Sequence, residues 1–146
     1  MSTADRTSTK KTGRLALFID GKTLSAEAAT SLFEELQEKG DLIAARLYGA
    51  DAAAWKHADI LTTGEDAPHA LALDVVETLQ SRSLDGIVIA SDDGRFSALA
   101  LTIRAAGLAA YGFGTAGTPA SYRSTFSDWT TLPDAAEKPA ARRKAA

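Results

Sequence analysis

Two short apolar runs in this chain each end in acidic residues. Residues 15–19 are followed directly by Asp20, and residues 87–90 are followed within three positions by Asp93. Continuous apolar runs of this length are typical of strands that are buried on both faces of a parallel sheet. Because open α/β sheets form their sites outside the carboxyl ends of such strands, we expect the acids to meet at one edge. Carboxylate oxygens gathered there could hold a metal ion.

The segments around these runs predict alternating helices and strands. Ser25 can cap a helix that continues to about Lys39 and is stopped by Gly40. Pro68 favours the start of another helix, which carries Asp74. Further strands are predicted at 42–48, 59–62, 108–111 and 129–132, and further helices at 52–57, 95–106 and 119–126. This alternation predicts an α/β fold, a three-layer Rossmann-like parallel sheet with helices on both faces.

Two glycine patterns suggest phosphate binding. Residues 21–23, Gly-Lys-Thr, end like a P-loop, but the glycine needed five residues earlier is Ala16, inside the predicted strand. Residues 112–117 match the dinucleotide pattern G-x-G-x-x-G. Too little chain follows them to supply the second strand and ribose-binding acid of a dinucleotide site. We therefore favour a tight turn near a phosphate-binding helix N-terminus.

The composition is that of one soluble α/β domain. The chain has 146 residues, of which 45% are hydrophobic and 24% are charged. It has no cysteine, which excludes disulfides, thiolate metal sites and cysteine nucleophiles. No apolar run is long enough to span a membrane, and the N-terminus lacks an apolar signal segment. The expected location is the cytoplasm, with no membrane partner.

The net charge of −3 is distributed unevenly. Residues 1–14 carry +3 and residues 133–146 carry +2, which leaves −8 for residues 15–132. Both ends are rich in small, polar and charged residues, so we expect disordered basic tails at 1–13 and 133–146 around a folded domain at 14–132. Such tails can attract a polyanion, or they can simply keep an acidic domain soluble.

Motifs spread along residues 14–132 occur in the order found in a known family. They are Leu17-Phe-Ile-Asp-Gly21, Arg46-Leu-Tyr-Gly49, Thr62-Thr-Gly64, Leu73-Asp-Val-Val-Glu-Thr-Leu79, Asp85-Gly86, Ser91-Asp-Asp-Gly-Arg-Phe96, Ala106-Gly107, and Tyr111-Gly-Phe-Gly114 with Thr118-Pro119. Each motif alone is weak, but the ordered set resembles bacterial NYN domains, in the LabA-like branch of the PIN-like nuclease superfamily.

The resemblance implies a metal-dependent ribonuclease site. In that family, carboxylates hold Mg²⁺ or Mn²⁺, which can activate water and stabilise charge on the scissile phosphate of RNA. Asp20, Asp74 and Asp93 match three of the family's acidic positions, and the resemblance assigns them as metal ligands and catalytic residues. The residues predicted to contact the substrate lie beside these acids: Lys22, Thr23, Ser91 and Arg95.

Other positions depart from the family pattern. Thr23 replaces the usual Asn, Pro68 stands where another acid normally precedes the helix Asp, and Arg95 replaces the final acid of the strand motif. An arginine there reverses a charge next to a dication. It could pair with Asp20 or Asp93 and take the place of the metal electrostatically.

A second interpretation of Arg95 keeps the metal. The guanidinium could contact a substrate phosphate while Asp92, Glu65 or Asp66 supplies the missing ligand. Three surviving acids could still hold one hydrated Mg²⁺ weakly, because this ion keeps several of its waters. Purely structural roles also stay open, in which the acids cap local turns or form ion pairs.

Three hypotheses about function follow. The leading one is an NYN-domain protein of ribonuclease descent in which phosphodiester hydrolysis is weak or lost, so that its status as an enzyme is open. The alternative is a catalytically silent module that binds RNA or a protein. A protein-interaction domain without a nucleic-acid role is the third, and a homo-oligomer is compatible with each of them.

Overall fold

The computed structural model describes residues 13–49, 60–63, 67–80 and 83–133. The strands within these ranges are β1 Gly13–Asp20, β2 Gly40–Tyr48, β3 Ile60–Thr63, β4 Gly86–Ala90, β5 Ala109–Gly114 and β6 Asp128–Thr131. The helices are α1 Ala26–Gln37, α2 Ala67–Thr78, α3 Ser97–Ala105 and α4 Ala120–Arg123, with a 3₁₀ turn at Gly94–Phe96 before α3.

The strands form one parallel six-stranded sheet in the order β3-β2-β1-β4-β5-β6. This is the order of doubly wound Rossmann-like folds, in which the direction of winding reverses between the two central strands. Here that switch point lies between β1 and β4. The predicted α/β fold with a parallel sheet is confirmed.

Each face of the sheet has its own apolar core. On one face, α1 packs Leu32 and Leu36 against a set of buried strand residues that includes Leu17. On the other face, α2 and α3 pack against a set that includes Phe18 and Ile89. Because successive side chains of a strand point to opposite faces, Asp20 continues the row of Phe18 and lies on the α2 and α3 side.

Local sequence signals account for several element boundaries. Ser25 caps α1 as predicted, since its Oγ accepts a hydrogen bond of 3.4 Å from the amide of Ala28. Gly107 follows α3 with a positive φ of 90°, a conformation that favours glycine and ends the helix. The predicted helix at 95–106 begins as the 3₁₀ turn and becomes α-helical only at Ser97.

The predicted tight turn at residues 112–117 is wrong at its start. β5 continues to Gly114, so that Gly112 and Gly114 are strand residues. A Cβ at Gly112 would collide with the Trp129 ring, and one at Gly114 would collide with Asp92 and Trp129. These glycines therefore let neighbouring side chains approach the strand, a role that the turn interpretation overlooked.

One other predicted element is shorter than expected, and several predictions concern residues outside the described ranges. The helix predicted at 119–126 is a single turn, Ala120–Arg123, followed by β6. The helix predicted at 52–57 and most of both predicted tails lie outside the described residues. Among the described residues, no helix is sufficiently long and apolar to cross a membrane.

Candidate functional site

The site is built at the switch point, where β1 and β4 are hydrogen-bonded neighbours. Ile19 pairs with Ala90, so the next residues of the two strands, Asp20 and Ser91, emerge side by side. Asp92 and Asp93 follow Ser91 in the loop that leads to the 3₁₀ turn. The prediction that acids from two separate strands meet at one edge of the sheet is confirmed. We call Asp20, Asp92 and Asp93 the acidic edge.

Asp20 is buried and well supplied with hydrogen-bond donors. Asp20 as a whole is only 1% exposed. Ser91 Oγ donates to Oδ2 at 2.8 Å, Thr23 Oγ1 donates to the same oxygen at 3.2 Å, and the amide of Lys22 donates to Oδ1 at 3.1 Å. These neutral donors stabilise the buried carboxylate, which offsets much of the cost of removing it from water.

The two hydroxyl groups beside Asp20 also hold the loop after β4. Ser91 Oγ accepts a hydrogen bond of 2.9 Å from the amide of Asp93. Thr23 Oγ1 accepts one of 3.0 Å from the amide of Asp92. Ser91 and Thr23, which were predicted to bind substrate, are therefore both engaged in joining the β1 turn to the β4 loop.

Asp93 is paired with Arg95. Its carboxylate accepts Nε at 3.0 Å through Oδ1 and Nη2 at 2.7 Å through Oδ2, and the amide of Arg95 at 3.0 Å. The side chain of Asp93 is 15% exposed, whereas that of Arg95 is 73% exposed. Hydrogen bonds from the Arg95 side chain hold the pKa of Asp93 below its ordinary value. Arg95 thus pairs with Asp93, one of the two partners considered from the sequence.

The carboxylate of Asp92 is hydrogen-bonded to a different segment, the loop after β5. Oδ1 accepts the amide of Thr115 at 2.7 Å and Thr118 Oγ1 at 3.1 Å, and Oδ2 accepts Thr115 Oγ1 at 2.5 Å. These bonds fix the chain between Thr115 and Thr118. Asp92 would have to give them up to replace a missing metal ligand, and Glu65 and Asp66 lie outside the described residues.

Asp74 projects from α2 and is bonded to side chains of β2. The hydroxyl of Tyr48 donates to Oδ2 at 2.5 Å, and Arg46 Nη1 lies 2.9 Å from the same oxygen. Burial first, and then the hydrogen bond to Asp74, raise the pKa of Tyr48, so its hydroxyl stays protonated and keeps donating. Sequence reasoning missed Arg46 and Tyr48 as partners of Asp74.

The register of β1 and β2 explains why Arg46 and Tyr48 lie near Asp74. Asp20 pairs with Tyr48 and Phe18 pairs with Arg46 across β1 and β2. Since paired residues project to the same face, Arg46 and Tyr48 lie on the same side of the sheet as Asp20. The register between the two strands could not be read from the sequence. Without it, the contacts of Arg46 and Tyr48 with Asp74 could not be predicted.

The three acids that the resemblance assigns to a metal fit that role poorly as they are arranged. All offer oxygen, which suits a hard cation such as Mg²⁺. However, Asp74 and Asp93 are each neutralised by an arginine, and Asp20 already accepts three hydrogen bonds from neutral donors. No three acidic or histidine side chains among the described residues are grouped so that they could hold a metal ion.

One further polar group lies near the acidic edge. Tyr122, on α4, is 1% exposed, and its hydroxyl is buried without a hydrogen-bond partner among the described residues. Burial first, and then the charges of Asp92, Asp93 and Asp20, raise the pKa of this hydroxyl. It therefore remains protonated, and it is a hydrogen-bond donor within electrostatic range of the carboxylates.

Fold and site together define a class of protein: a doubly wound α/β domain with a carboxylate cluster at its switch point. Within that class, residues 14–132 match the model of the NYN domain, and the chain belongs to the NYN domain family. Membership suggests a nuclease-like, RNA-related function. The LabA-like branch stays a prediction, as do the assigned site roles.

A solved structure shows the same fold at low sequence similarity. It is the crystal structure of a protein of unknown function from Vibrio parahaemolyticus, with a TM-score of 0.64 and 11% identity. The match covers 82% of this chain and 92% of that one. No curated protein matches the chain.

Proposed function

We propose that this protein is an NYN-domain protein of ribonuclease descent that binds RNA at the carboxyl edge of its sheet, and in which metal-dependent hydrolysis is weak or lost. The observation that carries the proposal is the ion pair of Arg95 with Asp93. The guanidinium places a positive charge where the family pattern has an acid, on a carboxylate that would otherwise attract a dication.

A second ion pair supports the same conclusion. Arg46 neutralises Asp74, so two of the three assigned acids already carry a cation partner. A divalent metal would have to displace or coexist with two guanidinium groups, which opposes its binding electrostatically. For any residual hydrolysis, we propose Asp20, Asp74 and Asp93 as the residues that would hold Mg²⁺ or Mn²⁺.

RNA contacts are proposed for the exposed cations of this edge. Arg95 directs Nε and Nη2 to Asp93, which leaves Nη1 on the outer side of the guanidinium for a phosphate oxygen. Lys22 is exposed in the turn after β1. Thr23 and Ser91 would act indirectly, by holding the loop that carries Arg95.

The test is a Mn²⁺ titration followed by thermal unfolding. Wild type, Arg95→Asp and Arg95→Ala are compared, with Arg104→Asp as a matched charge change at an exposed position of α3. We expect wild type and Arg104→Asp to gain little stability with Mn²⁺, and Arg95→Asp to gain clearly by mass action. Arg95→Ala, which removes the cation without adding a ligand, should fall between them.

Activity and binding measurements complete the test. We expect slow or no cleavage of single-stranded RNA by wild type with Mn²⁺, together with RNA binding that weakens as salt rises and in Arg95→Ala. Fast cleavage that is abolished by Asp93→Ala would show an intact nuclease instead. Absence of RNA binding at low salt would favour the protein-binding alternative.

A further inference from the structure

The Tyr122 hydroxyl is an exception at this edge. The other polar side chains around Asp20 and Asp93 are bonded, including Ser91, Thr23 and Arg95. A buried hydroxyl without a partner is destabilising relative to a satisfied one, so such a group calls for a physical explanation. A phenylalanine would fill the same space without that cost.

The ring of Tyr122 packs in an aromatic cluster. It makes an edge contact with Phe126, at 5.2 Å between centroids and 83° between planes, and another with Trp129, at 5.4 Å and 71°. A Cβ placed on Gly94 would lie 4.0 Å from the Tyr122 Cβ, so the side chain of Tyr122 starts beside the turn that follows Asp93. Its hydroxyl is therefore carried by an aromatic cluster that lies next to the turn after Asp93.

The partner of Asp93, by contrast, is exposed. Arg95 reaches Asp93 from the solvent side, and its guanidinium is the group best placed to meet a backbone phosphate. If Arg95 turns toward a phosphate, Oδ2 of Asp93 loses the hydrogen bonds of Nη2 and Nε. A largely buried carboxylate left without these donors is costly, and it needs a replacement.

We propose that Tyr122 is a positioning residue whose hydroxyl takes over Asp93 when Arg95 leaves that carboxylate for an RNA phosphate. Asp93 then has a hydrogen-bond donor both when Arg95 is paired with it and when Arg95 binds the phosphate. Arg95 can therefore bind the ligand without leaving the largely buried carboxylate unpaired. This inference rests on the proposed RNA binding for its ligand, but the exchange itself involves only residues of this chain.

The first test needs no ligand and uses thermal unfolding of the full chain in the presence of a metal chelator. Tyr122→Phe removes only the hydroxyl and keeps the ring contacts. With Arg95 present, we expect the melting temperature to stay unchanged or rise, because an unpartnered group is removed. In Arg95→Ala, the same change should lower it, because Tyr122 has become the partner of Asp93.

Two controls separate the exchange from general packing. In Asp93→Ala/Arg95→Ala, Tyr122→Phe should no longer lower the melting temperature, since the carboxylate is gone. Tyr111→Phe, in β5, removes a hydroxyl from another aromatic ring and should have the same effect with or without Arg95. If Tyr122→Phe shifts the melting temperature equally in wild type and in the Arg95→Ala variant, the exchange is wrong.

The second test measures the affinity for a single-stranded oligoribonucleotide at low salt. Tyr122→Phe should weaken binding about threefold to tenfold, the range of one lost hydrogen bond. In Arg95→Ala it should have no further effect. If wild type does not bind RNA, the proposed function fails, whereas the unfolding test still decides the role of Tyr122. Equal affinity of wild type and Tyr122→Phe would count against the exchange.

Discussion

Both oxygens of the Asp93 carboxylate accept hydrogen bonds from the Arg95 guanidinium, at distances from 2.7 to 3.1 Å. The two residues are only two positions apart, and the turn between them, capped by Asp93 itself, brings them together. A short loop therefore places a cation on an acid to which the resemblance assigns the role of metal ligand. This relationship leaves Asp93 in an arrangement that does not favour a dication.

The Arg95–Asp93 pair predicts a pH-dependent contribution to stability. Since Arg95 lowers the pKa of Asp93 in the folded state, the pair stabilises the fold above the ordinary value of 3.8. That contribution is lost as pH falls through the lowered folded-state pKa. Urea unfolding of wild type and Arg95→Ala should therefore differ at neutral pH and converge in acid. Arg104→Ala removes a bond to a carbonyl oxygen, which does not titrate, and should show no such convergence.

Replacing Ser91 should destabilise the protein more than replacing an exposed serine does. Its Oγ donates to buried Asp20 and accepts from the partly buried amide of Asp93, so Ser91→Ala leaves each of these groups short of one partner. We expect a loss of about 2 kcal/mol in the free energy of unfolding. Ser124→Ala, at an exposed position, should change it by less than about 0.5 kcal/mol. Urea denaturation gives both values, and equal losses would contradict the role of Ser91 in joining the β1 turn to the β4 loop.

Adding a side chain at Gly112 should destabilise the protein. An alanine Cβ there would collide with the Trp129 ring and approach Phe126. Gly112→Ala should therefore lower the free energy of unfolding by about 1–3 kcal/mol, the usual cost of overpacking. Gly117→Ala is the control, because a Cβ at that position meets no atom within 4 Å and its φ is not positive. If both variants unfold alike, Gly112 does not serve the approach of Trp129.

Much of the fold could be predicted because its signals are local. The apolar runs before Asp20 and Asp93 identify central strands, and Ser25 and Gly107 mark where helices begin and end. Gly112 misled the prediction because a glycine in a turn and a glycine under an aromatic ring look the same in a sequence. Only the packing of β6 on β5 distinguishes the two.

The candidate site was predictable to a lesser degree. The meeting of Asp20 with the β4 loop follows from parallel strands and their carboxyl ends. The partners of Asp74 depend on the register of β2 and on the rotation of α2, which no local pattern encodes. The unpartnered hydroxyl of Tyr122 likewise depends on how separate elements pack, and nothing in its neighbouring residues indicates it.

The last prediction concerns whether Asp74 belongs to the same site as Asp93. In an Arg95→Asp background, Arg46→Gln removes the cation that is paired with Asp74. If Asp74 is a ligand, Arg46→Gln should increase the rise in melting temperature that Mn²⁺ causes, because binding to the folded state becomes tighter. Adding Asp74→Asn should remove that increase. Arg104→Gln provides the matched loss of one positive charge, and an equal increase with it would reduce the effect of Arg46 to net charge alone.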